Sequence, residues 1–141
     1  MKTKLTISVI AALFLFGCQS GSVDDQLIIN GTAVATSTGL SLIHDSATRT
    51  VIANYLQAYA PGLRTITSKP TPDQLAALIN LYTPQSVKDQ YPQLIAFATP
   101  LIINAVEVAT QKYGSDNATV IKIVNDVATG LENGTAIYNH K

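Results

Sequence analysis

Leu27-Ile28-Ile29-Asn30-Gly31-Thr32-Ala33-Val34 is the stretch on which the fold class depends. Asn-Gly between two apolar runs is a hairpin signature, and the Thr-rich sequence that continues to Ile43 suits strands. A two-stranded hairpin alone is marginal in water, and no later segment reads as a strand that would extend it. Residues 26 to 43 are therefore assigned to a helix, with a hairpin as the alternative. The domain is placed in the all-α class, as a small helical bundle of four to five helices.

The neighbouring sequence supports that class. Val51, Ile52, Tyr55, Leu56 and Tyr59 recur at helical spacing behind the capping candidates Asp45 and Ser46, which predicts a helix from 46 to 60 that Pro61-Gly62 disrupts. Thr71-Pro72-Asp73-Gln74 carries an N-cap, a proline at N1, an acid in the first turn and a glutamine able to close a capping box. Leu75, Leu78, Ile79 and Tyr82 form its apolar stripe, ending before Pro84. Ser86 to Tyr113 reads as one long segment, in which Pro100 implies a kink or a fresh start capped by Thr99. Within it, Leu94 to Ala109 is apolar nearly all round, and such helices are buried or inserted in a membrane. Pro100, Asn104 and Glu107 argue against a lipid-facing span, so a central core helix is expected. After Gly114, Ser115 or Asp116 caps a last helix with Val120, Ile123, Val124, Val127, Ala128 and Leu131 on one face. Lys122 and Asp126 on that helix are spaced to pair at i,i+4.

Composition narrows the function classes. Only 13% of the 141 residues are charged, against about 25% in ordinary globular chains. Nine basic side chains balance nine acidic ones, so there is no basic footprint of a nucleic-acid binder. Two histidines far apart and one cysteine offer no metal-ligand spacing.

The front of the chain sets the compartment. Lys2 and Lys4 precede the apolar run Leu5 to Phe16, twelve residues with the length of a signal h-region and too short for a bilayer span, which needs about 20. Leu15-Phe16-Gly17-Cys18 closes the run. In these residues the chain resembles bacterial lipoprotein precursors: an aliphatic residue three before the cysteine, a small one just before it, and the cysteine itself. The resemblance implies cleavage between Gly17 and Cys18, a diacylglyceryl thioether on the Cys18 sulfur, and an N-acyl chain on the new amine. Buried acyl chains contribute roughly 0.8 kcal/mol per methylene, so attachment would be lasting. It further implies that Gln19, where aspartate favours inner-membrane retention, directs the protein to the outer membrane, facing the periplasm.

Domain organisation follows: residues 1–17 as lipoprotein signal peptide, 18–25 as lipidated cysteine and Gly/Ser-containing tether, and 26–141 as the helical domain. Loss of Lys2 and Lys4 leaves seven basic and nine acidic side chains. Electrostatic attraction to anionic lipid is then not expected to help the anchor.

Candidate chemistry is sparse. His44-Asp45 with Ser41 and Ser46 invites a hydrolase reading, but adjacent helical residues diverge and no G-x-S-x-G elbow occurs. Glycoside hydrolysis would need two acids held across a cleft; Glu107, on the most apolar segment, is the one candidate, since burial there would raise its pKa, against the alternative of a structural acid paired with Lys112, Lys88 or a tyrosine hydroxyl. Tyr55 and Tyr59 lie one turn apart as a candidate binding patch, against the alternative of a core-edge pair with hydroxyls in water. Asn30, Asn117 and Asn133 head N-x-Thr triplets, read as chance matches in a Thr/Asn-rich chain.

The mature part is similar to small helical lipoproteins of unknown function from bacteria and phages, through its Tyr-rich amphipathic helix, the helix start at 71 to 75 and two apolar helices. No functional motif comes with that similarity. The expectation is a non-enzymatic envelope protein, without metal or other cofactor, that binds another envelope component in a pilotin-like or phage-exclusion-like role. A carrier of lipid or another hydrophobic ligand between apolar helices is the alternative.

Overall fold

A computed structural model of the chain describes residues 24–139. The expected signal peptide 1–17, the cleavage point at Gly17 and Cys18, and tether residues 18–23 lie outside the described residues, as does His140. Among the described residues there are six helices: α1 (Asp25–Ser41), α2 (Ser46–Arg64), α3 (Pro72–Leu81), α4 (Gln85–Gln90), α5 (Pro92–Tyr113) and α6 (Asn117–Asn139).

The Asn30-Gly31 stretch is helical, within α1. Asp24 is its N-cap and accepts the Leu27 N–H at 3.1 Å. The folded part therefore takes in Asp24 and Asp25, which the sequence assigns to the tether. Three other helix starts follow the local signals. Asp45 caps α2 through the Thr48 N–H at 3.0 Å. Thr71 and Gln74 close the capping box of α3, at 3.1 Å and 2.8 Å. Asp116 accepts the Thr119 N–H at 3.2 Å just before α6. Each satisfies N–H groups that a helix start leaves without an intrahelical partner.

Helix count and boundaries depart from expectation at the prolines. The segment 86–113 is divided, because the residue before a proline is driven out of the helical region: Tyr91 has φ −128 and ψ 67, and Pro92 opens α5. This division accounts for a count above the expected four to five. Pro100, by contrast, neither ends α5 nor starts a new helix. The carbonyl that its missing N–H leaves unpaired belongs to Ala96, an exposed residue, where water can bond it. Asn104 Nδ2 also donates to the Pro100 carbonyl at 2.7 Å. Helix α2 likewise continues through the exposed Pro61 to Arg64, while Gly62 lies under the Tyr82 ring.

The centre of the bundle is α6, not α5. Helix α6 packs most extensively against α1 and α2 and also touches α5, while α3 and α4 pack on α5. On α5, Leu94, Ala98, Leu101, Ile102, Ala105 and Ala109 are buried along one stripe, whereas Gln93, Glu107 and Gln111 are exposed. Helix α5 is the one described helix long and apolar enough to cross a membrane, and 39% of its most apolar window is buried in the bundle. The six apolar residues expected on the face of α6 are all buried. Each large one contributes roughly 1.5–3 kcal/mol by leaving water.

Helices α1 and α6 run parallel. Asp25 lies beside Lys122, Ile29 and Thr32 meet Gly130, Ala33 and Thr36 meet Gly134, and the Tyr138 hydroxyl reaches the Ser37 carbonyl at 3.4 Å. Residues 122, 126, 130 and 134 recur every fourth position and so share one face of α6. The two glycines bring the backbones close: a Cβ on Gly134 would lie 2.6 Å from the Ala33 carbonyl oxygen. On the opposite side, Arg64 makes a two-pronged bond from α2 to Glu132 at 2.7 and 2.6 Å. Both side chains are 35% exposed, which limits the pair to about 1 kcal/mol at most.

Candidate binding cleft

Between the loop leading into α3, the outer half of α5 and the first turn of α6 lies an open cleft of about 220 Å³. Its apolar surface comes from Pro70, Pro72, Leu75, Val106 and Val120. Lys69 and Glu107 are its charged residues, and Thr110 and Gln111 add neutral polar groups. The walls are fixed by local structure. Pro72 is held by the capping box of α3, and the Lys69 N–H donates to Asn117 Oδ1 at 2.6 Å, pinning the loop to the start of α6. Gly114, at φ 126 and ψ 161, makes the turn from α5 into α6 in a region of backbone space open essentially to glycine alone.

Glu107 therefore stands on the exposed rim of this cleft rather than buried within the apolar segment that carries it. With one carboxylate among the lining residues, the cleft has no pair of acids facing each other across it. Apolar contact, flanked by one positive and one negative side chain, is what the arrangement offers a ligand.

The other sequence candidates do not converge. His44 is exposed; Ser41 Oγ donates to the Thr38 carbonyl at 2.6 Å within its own helix; the Asp45 carboxyl is occupied by Thr48, which holds it below the usual carboxylate range. Tyr59 is fully buried, so Tyr55 and Tyr59 form neither an exposed patch nor a pair with both hydroxyls in water. The Tyr59 hydroxyl is bonded to Thr83 Oγ1 at 2.6 Å. Burial pushes this phenol up, against the opposing effect of the Thr83 bond. Tyr55 is half-buried against the core.

The buried acid is Asp126, whose i,i+4 spacing predicts a pair with Lys122. It is 9% exposed and faces Asp25. Lys122 Nζ lies 3.5 Å from Asp25 Oδ2 instead. Burial first, then the hydrogen bond and charge of Asp25, push the Asp126 carboxyl up to about 8, while Lys122 opposes the shift. The signal available for this position was its four-residue spacing to Gly130 and Gly134, which places all three on the α1-facing side. Among the described residues, no group of three histidine, cysteine or acidic side chains is arranged to hold a metal ion.

No family model, curated protein or solved structure matches this chain.

Proposed function

We propose that this chain is a lipid-anchored protein of the bacterial envelope, held by acylated Cys18 at the periplasmic face of the outer membrane, which acts by binding another envelope protein rather than by catalysis. The observation that carries the reading is Leu15-Phe16-Gly17-Cys18 behind a charged start and a twelve-residue apolar run, with the only cysteine at the position that lipidation requires. The cleft between α3, α5 and α6 is the proposed contact site. Its volume of about 220 Å³ lies below the roughly 300–1,000 Å³ of small-molecule pockets. That size suits one or two apolar side chains of a partner rather than a lipid enclosed in this cleft. Pilotin-like escort of a secretion component and a phage-exclusion role both fit such a binder.

A photo-crosslinking residue placed at Gln111, exposed in the cleft, should yield a discrete adduct with one envelope protein. The same residue at Asn54, exposed on α2 outside the cleft lining, should not. No adduct from Gln111, or the same adduct from both positions, would count against the cleft as the contact. Bound lipid retained in native mass spectra of the protein would favour the carrier role.

A further inference from the structure

Asp25 opens α1, and Asp126 lies on the α1-facing side of α6. Asp25 Oδ1 and Asp126 Oδ2 are both buried, and neither meets a hydrogen-bond donor. Asp126 is 9% exposed. Two ionised carboxylates have no donor to offer one another, and burial of Asp126 beside a like charge disfavours its ionised form. A single proton removes both difficulties: one group becomes a donor, the other remains an acceptor, and Lys122, 3.5 Å from Asp25 Oδ2, balances the remaining charge. We infer that Asp126 keeps a proton that it donates to Asp25, forming a clasp that fastens the start of α1 to α6 and loosens when the proton is lost.

The surrounding groups fit this assignment. The N-cap Asp24 adds negative charge next to Asp25; Tyr113 of α5, pushed up by burial and by Asp24, lies against that end of α1; and Lys122 comes from α6. The Asp126 carboxyl, at about 8 in the folded chain, stands well above the ordinary aspartate value of about 3.9. The folded state thus binds the extra proton, and its stabilising effect is complete below the unfolded value and is lost as pH rises through about 8. Asp25 lies seven residues beyond Cys18. If the lipid-anchor reading holds, the clasp sits where the anchored segment enters the bundle, so alkaline conditions would free the base of the domain. The clasp itself does not depend on that reading.

Hydrogen exchange of the mature chain in detergent tests it, followed on the amides of residues 26 to 30 and corrected for intrinsic exchange rates. Protection in the wild type should fall by up to about tenfold per pH unit between roughly pH 5 and 8 and level off above. Asp126→Asn, whose amide supplies the donor without a proton, should keep its protection nearly constant, and Asp25→Asn should flatten the profile in the same way. Carbon NMR should place the carboxyl midpoint of Asp126 far above 4. A decline that persists in both variants, or a midpoint in the ordinary carboxylate range, would overturn the inference. So would protection at pH 9 restored by millimolar calcium, which would make the pair a cation site. None of these outcomes depends on whether Cys18 is acylated.

Discussion

Gly134→Ala should destabilise the domain by about 2 kcal/mol, although alanine in a helix interior is ordinarily about 1 kcal/mol better than glycine. The sign is set by what the new methyl would meet: the Ala33 carbonyl oxygen at 2.6 Å, Thr36 Cβ at 2.8 Å and Ala33 Cα at 3.0 Å. Backbone atoms cannot rotate away as a side chain can. Helices α1 and α6 would have to separate, loosening the most extensive interface of the bundle. Gly130→Ala meets Thr32 Cβ at 2.5 Å and the Ile29 carbonyl oxygen at 2.8 Å, and should behave alike. The double variant should cost less than the sum, since the first methyl already parts the helices. Thermal and urea unfolding measure this, with an expected midpoint loss of roughly 5–10 °C for each single variant. Asn133→Ala, exposed on the same helix, should stay within about 0.5 kcal/mol of wild type. Unchanged or increased stability of Gly134→Ala would mean that α1 does not lie this close to α6.

Tyr59→Ala should cost about 3–5 kcal/mol, the range for truncating a buried aromatic. The ring is fully buried, and its hydroxyl joins α2 to the segment after α3. Thr83 Oγ1 donates to the Ile79 carbonyl at 2.7 Å, so in the 2.6 Å contact with Thr83 the Tyr59 hydroxyl is the donor. Tyr59→Phe keeps the packing and removes that bond alone, for a loss of about 1 kcal/mol. Tyr55→Ala, half-buried, should fall below Tyr59→Ala. Urea midpoints rank the three. A Tyr59→Ala protein as stable as wild type would return this residue to the surface as a binding group.

These cases separate what was legible in the sequence from what was not. Capping at Asp45, Thr71 and Asp116 was readable because a cap is local: the carboxyl or hydroxyl and the N–H it bonds are three residues apart. Which side of a helix meets another helix is not local. Hydropathy alone puts Glu107 in the core, since its segment is the most apolar in the domain. Yet the buried stripe 94, 98, 101, 105 and 109 leaves Glu107 on the outside of α5. Asp126 shows the converse: its spacing predicts a pair with Lys122 off the apolar stripe, but α6 is covered on more than one side, and α1 covers the side that carries Asp126. Gly134 was visible within an Asn-Gly-Thr triplet, and its spacing from Gly130 carried the packing information. The cleft was beyond sequence reasoning, because Lys69, Glu107 and Val120 become neighbours only when the loop, α5 and α6 are brought together.

The most direct test of the proposed function is the chemical state of Cys18. Cells expressing the chain and fed labelled palmitate should yield a labelled protein that partitions into detergent. Its intact mass should match a chain beginning at Cys18 and carrying two or three acyl chains. In Cys18→Ala the label and the membrane attachment should both be lost, while the helical content of the domain is unchanged. A wild-type protein recovered without label, with a free Cys18 thiol or cleaved elsewhere, would contradict the lipid-anchored assignment.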